Sequence, residues 1–209
     1  MLSRNDDAIT DKDTGTLGKA VAVLEVIAAS DTPMRFTDLL SRVPQPRGTL
    51  HRQVTNLIDE GLLSVNRDQT YELGLRFLSF AAKSWSKNRF RQTAEPLIHK
   101  LHEVTGETIH LGVLAGAEVI YLDKVESRQA VRMYSQIGNA SPTYCTGVGK
   151  AALSRLSDDE VRERLAGVEF RQFTGSTLKN IDALIAQLHD IRTAGFAFDG
   201  EEQEPGIQC

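Results

Sequence analysis

Cysteine, long apolar runs and a strong charge of one sign are what this sequence lacks. Only Cys145 and Cys209 occur among 209 residues, too few for a disulfide framework, so we expect a protein of a reducing cytoplasm. No apolar run approaches the ~20 residues that a membrane-spanning helix needs. Residues 1–15 carry acids where a secretory signal needs an apolar core, and we expect them to form a disordered lead-in.

The net charge of -4 does not by itself indicate a nucleic-acid binder, but the charge is unevenly distributed. Residues 33–90 contain nine Lys or Arg against five Asp or Glu, whereas residues 91–209 contain twelve against seventeen. A basic segment followed by an acidic one fits a small DNA-reading domain attached to a domain with another role. The chain is long enough for two such domains, each with its own core.

Residues 36–74 predict a winged helix-turn-helix. Proline and glycine separate two helical runs, and two short extended runs follow them. The predicted elements are a helix over 36–43 ending at Pro44, a helix from Pro46-Arg47 to Glu60 stopped by Gly61, and strands over 62–66 and 70–73. Helix, tight turn, helix and hairpin, in this order, are typical of a DNA-binding unit.

The second helix of this unit has two distinct faces. Its apolar residues repeat at helical spacing and predict a core stripe of Leu50, Val54, Leu57 and Ile58. Another side is cationic near the helix N-terminus, where a recognition helix reads bases in the major groove. The candidate DNA-contacting residues are Arg47, Thr49, His51, Arg52 and Thr55, with Arg67 in the wing. The alternative is a solvated face, since any amphipathic helix carries an arginine or two.

Two further helices flank the unit and set the predicted domain boundaries. A helix over 17–29 completes the core of a domain over 16–74, with an apolar stripe of Leu17, Val21, Leu24 and Ala28 widened by Val23, Val26 and Ile27. A linker helix over 75–91 contains Trp85 and a cationic run that either contacts phosphates or is solvated. That run is Lys83, Lys87, Arg89 and Arg91. We expect Trp85 to lie in a dimer contact or in intrachain packing.

Residues 92–209 predict an α+β domain. A helix from Thr93 ends at Gly106, and three extended runs follow over 108–114, 118–125 and 130–135. A loop over 138–149 leads into a helix at Lys150, and Ser157 begins a capping box for another. The remaining predicted elements are a helix over 177–194 ended by Gly195 and a strand from Phe196 towards Cys209.

At this point the sequence resembles the IclR family of bacterial transcription regulators over nearly its whole length. The resemblance rests on six phrases in order, which are PRGTLHRQVTNLIDEGLL, YELGLRFL, HKLHEVTGETIHLGVL, VIYLDKVES, IGNASPTYCTGVGKAAL and GFAFDGEEQEPGIQC. It implies a winged helix-turn-helix domain, a linker helix and a GAF-like α+β effector-binding domain. It also implies dimers or tetramers on palindromic double-stranded DNA and a small-molecule effector that changes DNA affinity, with no cofactor.

The resemblance also implies an effector pocket. Carried over to this chain, its positions are Gly147 and Val148 in the loop before the GKA helix, and Asp199 and Cys209 further on. A loop entering a helix presents backbone N–H groups that suit a carboxylate, and Asp199 suits a hydroxyl or a water. Met133 is expected to supply an apolar wall. A separate hypothesis, which does not come from the resemblance, is that Cys145 or Cys209 adds reversibly as a thiolate to an aldehyde effector.

Family members usually continue for several dozen residues beyond the position of Cys209. We therefore expect this chain to lack part of the effector-binding domain, with a strand edge left unpaired and the pocket left open. The DNA-binding prediction does not depend on that segment.

Other kinds of chemistry are less well supported by the sequence. The run Gly147-Val148-Gly149-Lys150 lacks the first glycine and the Ser or Thr of a phosphate loop, so Lys150 is expected to cap, pair with an acid or lie in solvent. The histidines 99, 102 and 110 predict no metal site, and no nucleophile, base and orienting acid are grouped. The leading prediction is a DNA-binding repressor that a small carboxylate- or aldehyde-type metabolite releases from its operator. The alternatives are a thiol-dependent enzyme domain with an accessory DNA-binding module and a truncated dimerisation partner without effector response.

Overall fold

The structure, a computed structural model, describes residues 15–127 and 135–209. They divide into two units, with the boundary between Asn88 and Arg89. The lead-in up to residue 14, Met133 and most of the predicted strand over 130–135 lie outside the described residues. No helix in the described ranges is both long and apolar enough to cross a membrane.

The N-terminal unit is a helical domain with a short hairpin. Its elements are α1 Gly15–Ala28, α2 Phe36–Arg42, α3 Arg47–Asp59, β1 Leu63–Val65, β2 Tyr71–Leu73 and α4 Arg76–Ser86. The core is built from all three first helices and β1, and includes Val23, Leu39, Leu50, Val54 and Leu57. The stripe predicted for the second helix therefore faces the core, with Ile58 packed at its edge.

Proline and glycine determine where α2 and α3 end. α2 stops before Pro44, and α3 begins directly after Pro46, whose fixed φ suits a helix start. Gly61 follows α3 with φ +66, in the left-handed region that glycine adopts at low cost. These three residues explain why the two predicted helices match the observed ones to within a residue.

The wing is the antiparallel pair of strands β1 and β2, and it is hydrogen-bonded to the segment between α1 and α2. Leu63 pairs with Leu73 and Val65 with Tyr71, and the Tyr71 N–H also donates to the Met34 carbonyl at 2.7 Å. At the base of the wing, Gly74 lies so close to the chain after α3 that an added Cβ would stand 2.1 Å from the Gly61 carbonyl oxygen. Only a residue without a side chain fits there.

Two predictions for the flanking helices were wrong in detail. Leu17, assigned to the core face of the first helix, is exposed, and Val23 and Ile27 are the buried residues of α1. The linker helix ends at Ser86, and Arg91 belongs to the next helix, where its guanidinium is buried against Asp123 at 2.7 Å. Arg91 is therefore part of an internal ion pair and does not extend a phosphate-contacting run.

The C-terminal unit combines an antiparallel sheet with four helices in its described part. Its elements are α5 Arg89–Thr105, β3 Ile109–Ala115, β4 Glu118–Val125, β5 Ala140–Pro142, α6 Gly147–Leu153, α7 Asp158–Arg164 and α8 Ile181–Ala194. The sheet order is β3-β4-β5. A core of Leu153, Val161, Leu184 and Leu188 lies between α6, α7 and α8. The capping box at Ser157 and the end of α8 at Gly195 are as predicted.

Three predicted features of this unit differ from the structure. Residues 140–142 form a strand within the predicted loop, and α6 begins at Gly147 because the Thr146 hydroxyl caps it by accepting from the Gly149 N–H. α8 begins at Ile181, capped by Asn180. The stretch from Phe196 is not a strand, since its only sheet-like pairing in the described residues is the bridge of Gly200 with Gln208.

Candidate nucleic-acid interface and ligand cavity

The start of α3 presents the predicted cationic face to solvent. Arg47, His51 and Arg52 are exposed, as is Thr55, while Thr49 is half-buried. The ring of Phe36, the first residue of α2, lies 5.7 Å from the Arg47 guanidinium and 5.7 Å from the His51 ring. Cation–π and edge-to-face contacts of this kind hold both side chains at the helix start.

Thr55 has a hydrogen bond that limits what it offers to a partner. Its hydroxyl donates to the His51 carbonyl one turn earlier, at 3.0 Å. With its single proton used, the oxygen is left as an acceptor for an amino group or a water. Thr55 therefore offers a partner an acceptor oxygen one helical turn after His51.

Arg67 lies exposed at the tip of the wing, in a turn that is fixed by its neighbours. Asp68 accepts hydrogen bonds from the Thr70 N–H at 3.3 Å and the Thr70 hydroxyl at 2.7 Å, and these hold the pKa of Asp68 below its usual value. Gln69 has φ +65 and closes the turn. Whether Arg67 and the α3 residues contact DNA remains a prediction.

The C-terminal unit contains a cavity of about 510 Å³. One wall comes from the sheet, a second from the start of α6, and a third from residues 199–209. Of the predicted effector-binding residues, the structure places Gly147, Val148, Asp199 and Cys209 on these walls. Met133 lies outside the described residues. A volume in this range is typical of small-molecule sites.

The walls formed by α6 and by residues 199–209 are in direct contact. A Cβ added to Gly147 would stand 3.3 Å from the Cys209 Cβ. The Asp199 N–H donates to the Cys209 carbonyl at 2.7 Å, and the Cys209 N–H donates back at 3.1 Å. The Asp199 carboxylate accepts from the Glu202 N–H at 2.8 Å, and burial raises the pKa of Asp199. Asp199 is thus both a wall residue and the organiser of the turn behind it.

The sheet wall adds two residues that sequence reasoning missed, His110 and Tyr121. His110 Nε2 lies 2.6 Å from the Ser135 hydroxyl oxygen, and the two rings are 5.1 Å apart. Burial, with Lys124 nearby, lowers the pKa of His110 to about 4, so the imidazole is neutral at pH 7. The sequence signal was available, because β3 and β4 were both predicted as neighbouring strands, but His110 was weighed only as a metal ligand or as a base for a thiol.

The charge of the cavity wall restricts what it binds. Its charged members among the described residues are the acids Glu107 and Asp199, with no Lys or Arg. An anionic group would therefore be received by backbone N–H groups and neutral donors. The first N–H groups of any helix have no acceptor within the helix, and Gly147 and Val148 occupy those positions in α6.

Cys145 is not brought to the cavity. It is completely buried in the core formed by α6, α7 and α8, and burial raises the pKa of its thiol to about 12. A thiol with so high a pKa is a poor nucleophile at neutral pH. Cys209 is the cysteine that the structure places on the wall, and burial raises the pKa of its thiol as well. Within the described residues no three His, Cys, Asp or Glu side chains are grouped as metal ligands would be.

Models of known families match both units. The model of the IclR helix-turn-helix domain matches residues 16–67, and that of the C-terminal domain of the bacterial transcriptional regulator IclR matches residues 82–209. The chain belongs to the IclR family. Membership confirms the resemblance, the α+β class with its winged helix-turn-helix and effector-binding domains, and the function as a DNA-binding transcriptional regulator.

Individual IclR-family relatives are regulators by name. The chain is 30% identical to KdgR of Escherichia coli K12, over 97% of this chain and 78% of KdgR. It is 31% identical to XynR of the same organism, over 91% of this chain and 76% of XynR. It is also 30% identical to the acetate operon repressor of Salmonella typhimurium, over 93% of this chain and 72% of the repressor.

Solved structures of family members show the same fold. The Thermotoga maritima IclR structure matches with a TM-score of 0.63 and 29% identity, covering 93% of this chain and 78% of that one. An IclR homologue from Microbacterium hydrocarbonoxydans, complexed with 4-hydroxybenzoate, matches with a TM-score of 0.75 and 25% identity, covering 93% and 80%.

Proposed function

We propose that this regulator is a repressor, released from its operator by a small organic acid that binds in the cavity of the C-terminal unit. The observation that carries the proposal is the cavity itself, because its walls contain the four described positions at which the family resemblance implied effector binding. The names of two relatives, the acetate operon repressor and the repressor IclR of Escherichia coli, support the direction of control.

The chemistry of the walls supports an acid that also carries a hydroxyl. A carboxylate fits the N–H groups at Gly147 and Val148. A hydroxyl fits Asp199, a strong acceptor, while Ile109 and Ile207 face an apolar body. The bound 4-hydroxybenzoate of the Microbacterium relative has this combination of groups. An aldehyde that adds to a thiol is the second candidate, with Cys209 as its site.

DNA reading is proposed to use α3 and the wing. Arg47, Thr49, His51, Arg52 and Thr55 would contact bases and phosphates, and Arg67 would contact a phosphate. A dimer on a palindromic operator would place two recognition helices roughly 34 Å apart, or a multiple of that distance. Ligand binding then lowers DNA affinity by favouring a state of the dimer that fits the operator poorly.

Self-association is supported by the apolar surface of α4. This helix has no buried residue, and Leu75, Leu78 and Phe80 on and beside it are exposed. Isolated exposed apolar residues are ordinary, but several on one short helix are typical of a surface that a partner covers. Light scattering of the purified chain is expected to give the mass of a dimer or tetramer. A monomer at micromolar concentration would remove this part of the proposal.

Calorimetric titration with a panel of small organic acids and aldehydes tests the ligand class. The panel contains 4-hydroxybenzoate, benzoate and phenol, which separate the carboxylate from the hydroxyl. We expect an acid to bind, and a hydroxy acid to bind about tenfold more tightly than its deoxy analogue because Asp199 accepts from the hydroxyl. If no acid binds the wild-type chain, the proposed ligand class is wrong.

The variant Asp199→Asn sharpens that titration. Asparagine keeps the oxygen that accepts from Glu202 and loses the charged acceptor, so the preference for the hydroxy acid over its analogue should disappear. Asp199→Asn also changes the repulsion between residue 199 and the ligand carboxylate. This change affects both ligands equally, because both carry the same carboxylate, so it cancels in the ratio of their affinities. Asp182→Asn, on the exposed start of α8, is the matched control and should retain the preference. Cys209→Ser tests the aldehyde alternative, since it should abolish binding of an aldehyde that adds to the thiol and leave binding of an acid unchanged.

A further inference from the structure

A charged side chain lies buried behind the cavity. Lys150, in the first turns of α6, is completely buried, and its ammonium group contacts three acceptors from distant parts of the unit. The Nζ atom donates to Gln187 Oε1 at 3.0 Å, to the Phe198 carbonyl at 2.6 Å and to Glu202 Oε1 at 2.5 Å. All three N–H bonds of the ammonium are thus used, two of them on the segment that follows α8.

The segment that Lys150 binds is the one that forms a cavity wall. Glu202 is 5% exposed, and its carbonyl accepts from the Thr177 hydroxyl at 2.6 Å. Its N–H donates to Asp199, whose backbone in turn pairs with Cys209. A continuous chain of hydrogen bonds therefore runs from Lys150 through Glu202 and Asp199 to the wall at Cys209.

We infer that Lys150 is a positioning residue for ligand binding, acting through its ion pair with Glu202. The inference rests on the proposed ligand cavity. α6 supplies Gly147 and Val148 to one wall, and residues 199–209 supply the adjoining one. Lys150 lies one helical turn from Gly147, and its bonds to the Phe198 carbonyl and to Glu202 fix where residues 199–209 lie relative to α6.

An apolar contact in place of the Lys150–Glu202 pair would stabilise the unit but would not fix the position of the cavity wall. Breaking a buried ion pair by removing one partner is strongly destabilising, whereas replacing both partners by apolar side chains of similar volume is often tolerated. Hydrophobic packing is not directional, but the ammonium must point at the Phe198 carbonyl and at Glu202. The double replacement Lys150→Met with Glu202→Met therefore separates folding of the unit from positioning of the wall.

Hydrogen–deuterium exchange on the full chain tests the positioning directly and needs no ligand. In the double variant we expect the Asp199 and Cys209 amides to exchange at least tenfold faster, while the Leu184 and Leu188 amides in α8 keep their protection. The matched control is Arg162→Met with Asp182→Met, which removes an exposed ion pair of 2.7 Å in the same unit. Unchanged exchange at residues 199–209, or an equal rise throughout the unit, would overturn the inference.

Titration with 4-hydroxybenzoate, or with the acid that binds the wild-type chain, provides the second measurement. We expect the double variant to bind it at least tenfold more weakly and the control pair to bind as wild type does. Faster exchange with unchanged affinity would overturn the role in ligand binding. If no acid binds wild type, the proposed function fails while the exchange experiment still decides the positioning role.

A second variant covers the case in which the double variant does not fold. Glu202→Gln keeps the volume and the acceptor oxygen and removes the charge, so the bond from Lys150 is retained but weakened. The same pattern is expected with a smaller change in exchange at Asp199 and Cys209. Wild-type exchange and wild-type ligand affinity in this variant would contradict a role for the charged pair.

Discussion

Phe36 contacts two of the candidate base-reading side chains, and these contacts hold both side chains in place at the start of α3. Arg47 and His51 both pack against its ring, so neither side chain loses as much freedom on binding as it would on a bare helix. Arg52 has no such contact with Phe36 and is exposed. The two arginines of α3 thus differ in how far they are held in place before DNA arrives.

Replacing Arg47 or Arg52 by alanine is expected to weaken operator binding by on the order of 1–3 kcal/mol. Both side chains are exposed, so the melting temperature should change little. Fluorescence anisotropy with labelled operator gives the affinity. Arg171→Ala is a matched control, because Arg171 packs on Phe173 in the C-terminal unit much as Arg47 packs on Phe36. Wild-type affinity in both α3 variants would exclude this face from DNA binding.

His110 is expected to titrate with a pKa of about 4, which NMR can measure directly. The variant His110→Gln identifies its resonance. In the unfolded chain the pKa is about 6.5, so between pH 6.5 and 4 the unfolded state binds the proton that the folded state does not. Stability should therefore fall as the pH drops through this window, and this slope should be absent in the variant. An ordinary pKa for His110 would contradict its half-buried placement beside Lys124.

At the scale of elements, we expect the wing to contact phosphates and α3 to read bases. Its tip is held by Asp68 and Thr70, and Arg67 projects from it into solvent. Arg67→Ala is therefore expected to weaken binding to all DNA sequences alike and to reduce the salt dependence of log K by about one unit. Anisotropy titrations with operator and scrambled DNA at several salt concentrations measure both. A loss confined to the operator would show a base contact instead.

Gly74 determines how the wing returns to the helices. A methyl group there would collide with the backbone at Gly61 and Leu62, which cannot move aside as a flexible side chain can. We expect Gly74→Ala to destabilise the N-terminal unit by about 1–3 kcal/mol, as other overpacked sites do. Gly48→Ala is the control, since an added Cβ there has nothing within 4 Å. Equal urea midpoints for the two variants would contradict the close approach.

The elements also show where sequence reasoning succeeds and where it fails. α3 was predicted to within a residue because Pro46 and Gly61 mark its ends chemically. α1 was found, but its core face centres on Val23 and Ile27, which were predicted only to widen the stripe. Leu17, Val21 and Val23 make the helix apolar on several sides, and periodicity cannot choose among them. α6 was started too late because the Thr146 cap stands in a run of small residues that has the composition of a loop.

At the scale of the whole molecule, local sequence patterns do not predict contacts between residues that are far apart in the chain. The division into a basic and an acidic half could be predicted from the composition, and the division into two domains from the order of the motifs. The cavity positions at Gly147, Val148 and Asp199 came from family resemblance. The pairs that complete the site, His110 with Ser135 and Lys150 with Glu202, join residues 25 and 52 positions apart. No periodicity of a single helix or strand encodes such pairs, so only the folded structure reveals them.

Binding to the promoter region upstream of the native gene is the most direct test of a ligand-released repressor. Anisotropy would be measured at about 50 and 200 mM salt, with scrambled DNA as competitor and with the acid identified by calorimetry present or absent. We expect site-selective binding that weakens with salt and at least tenfold further with the acid. Selective binding that no acid changes would remove ligand control and leave the DNA reader. An absence of site-selective binding under all conditions would contradict the central claim.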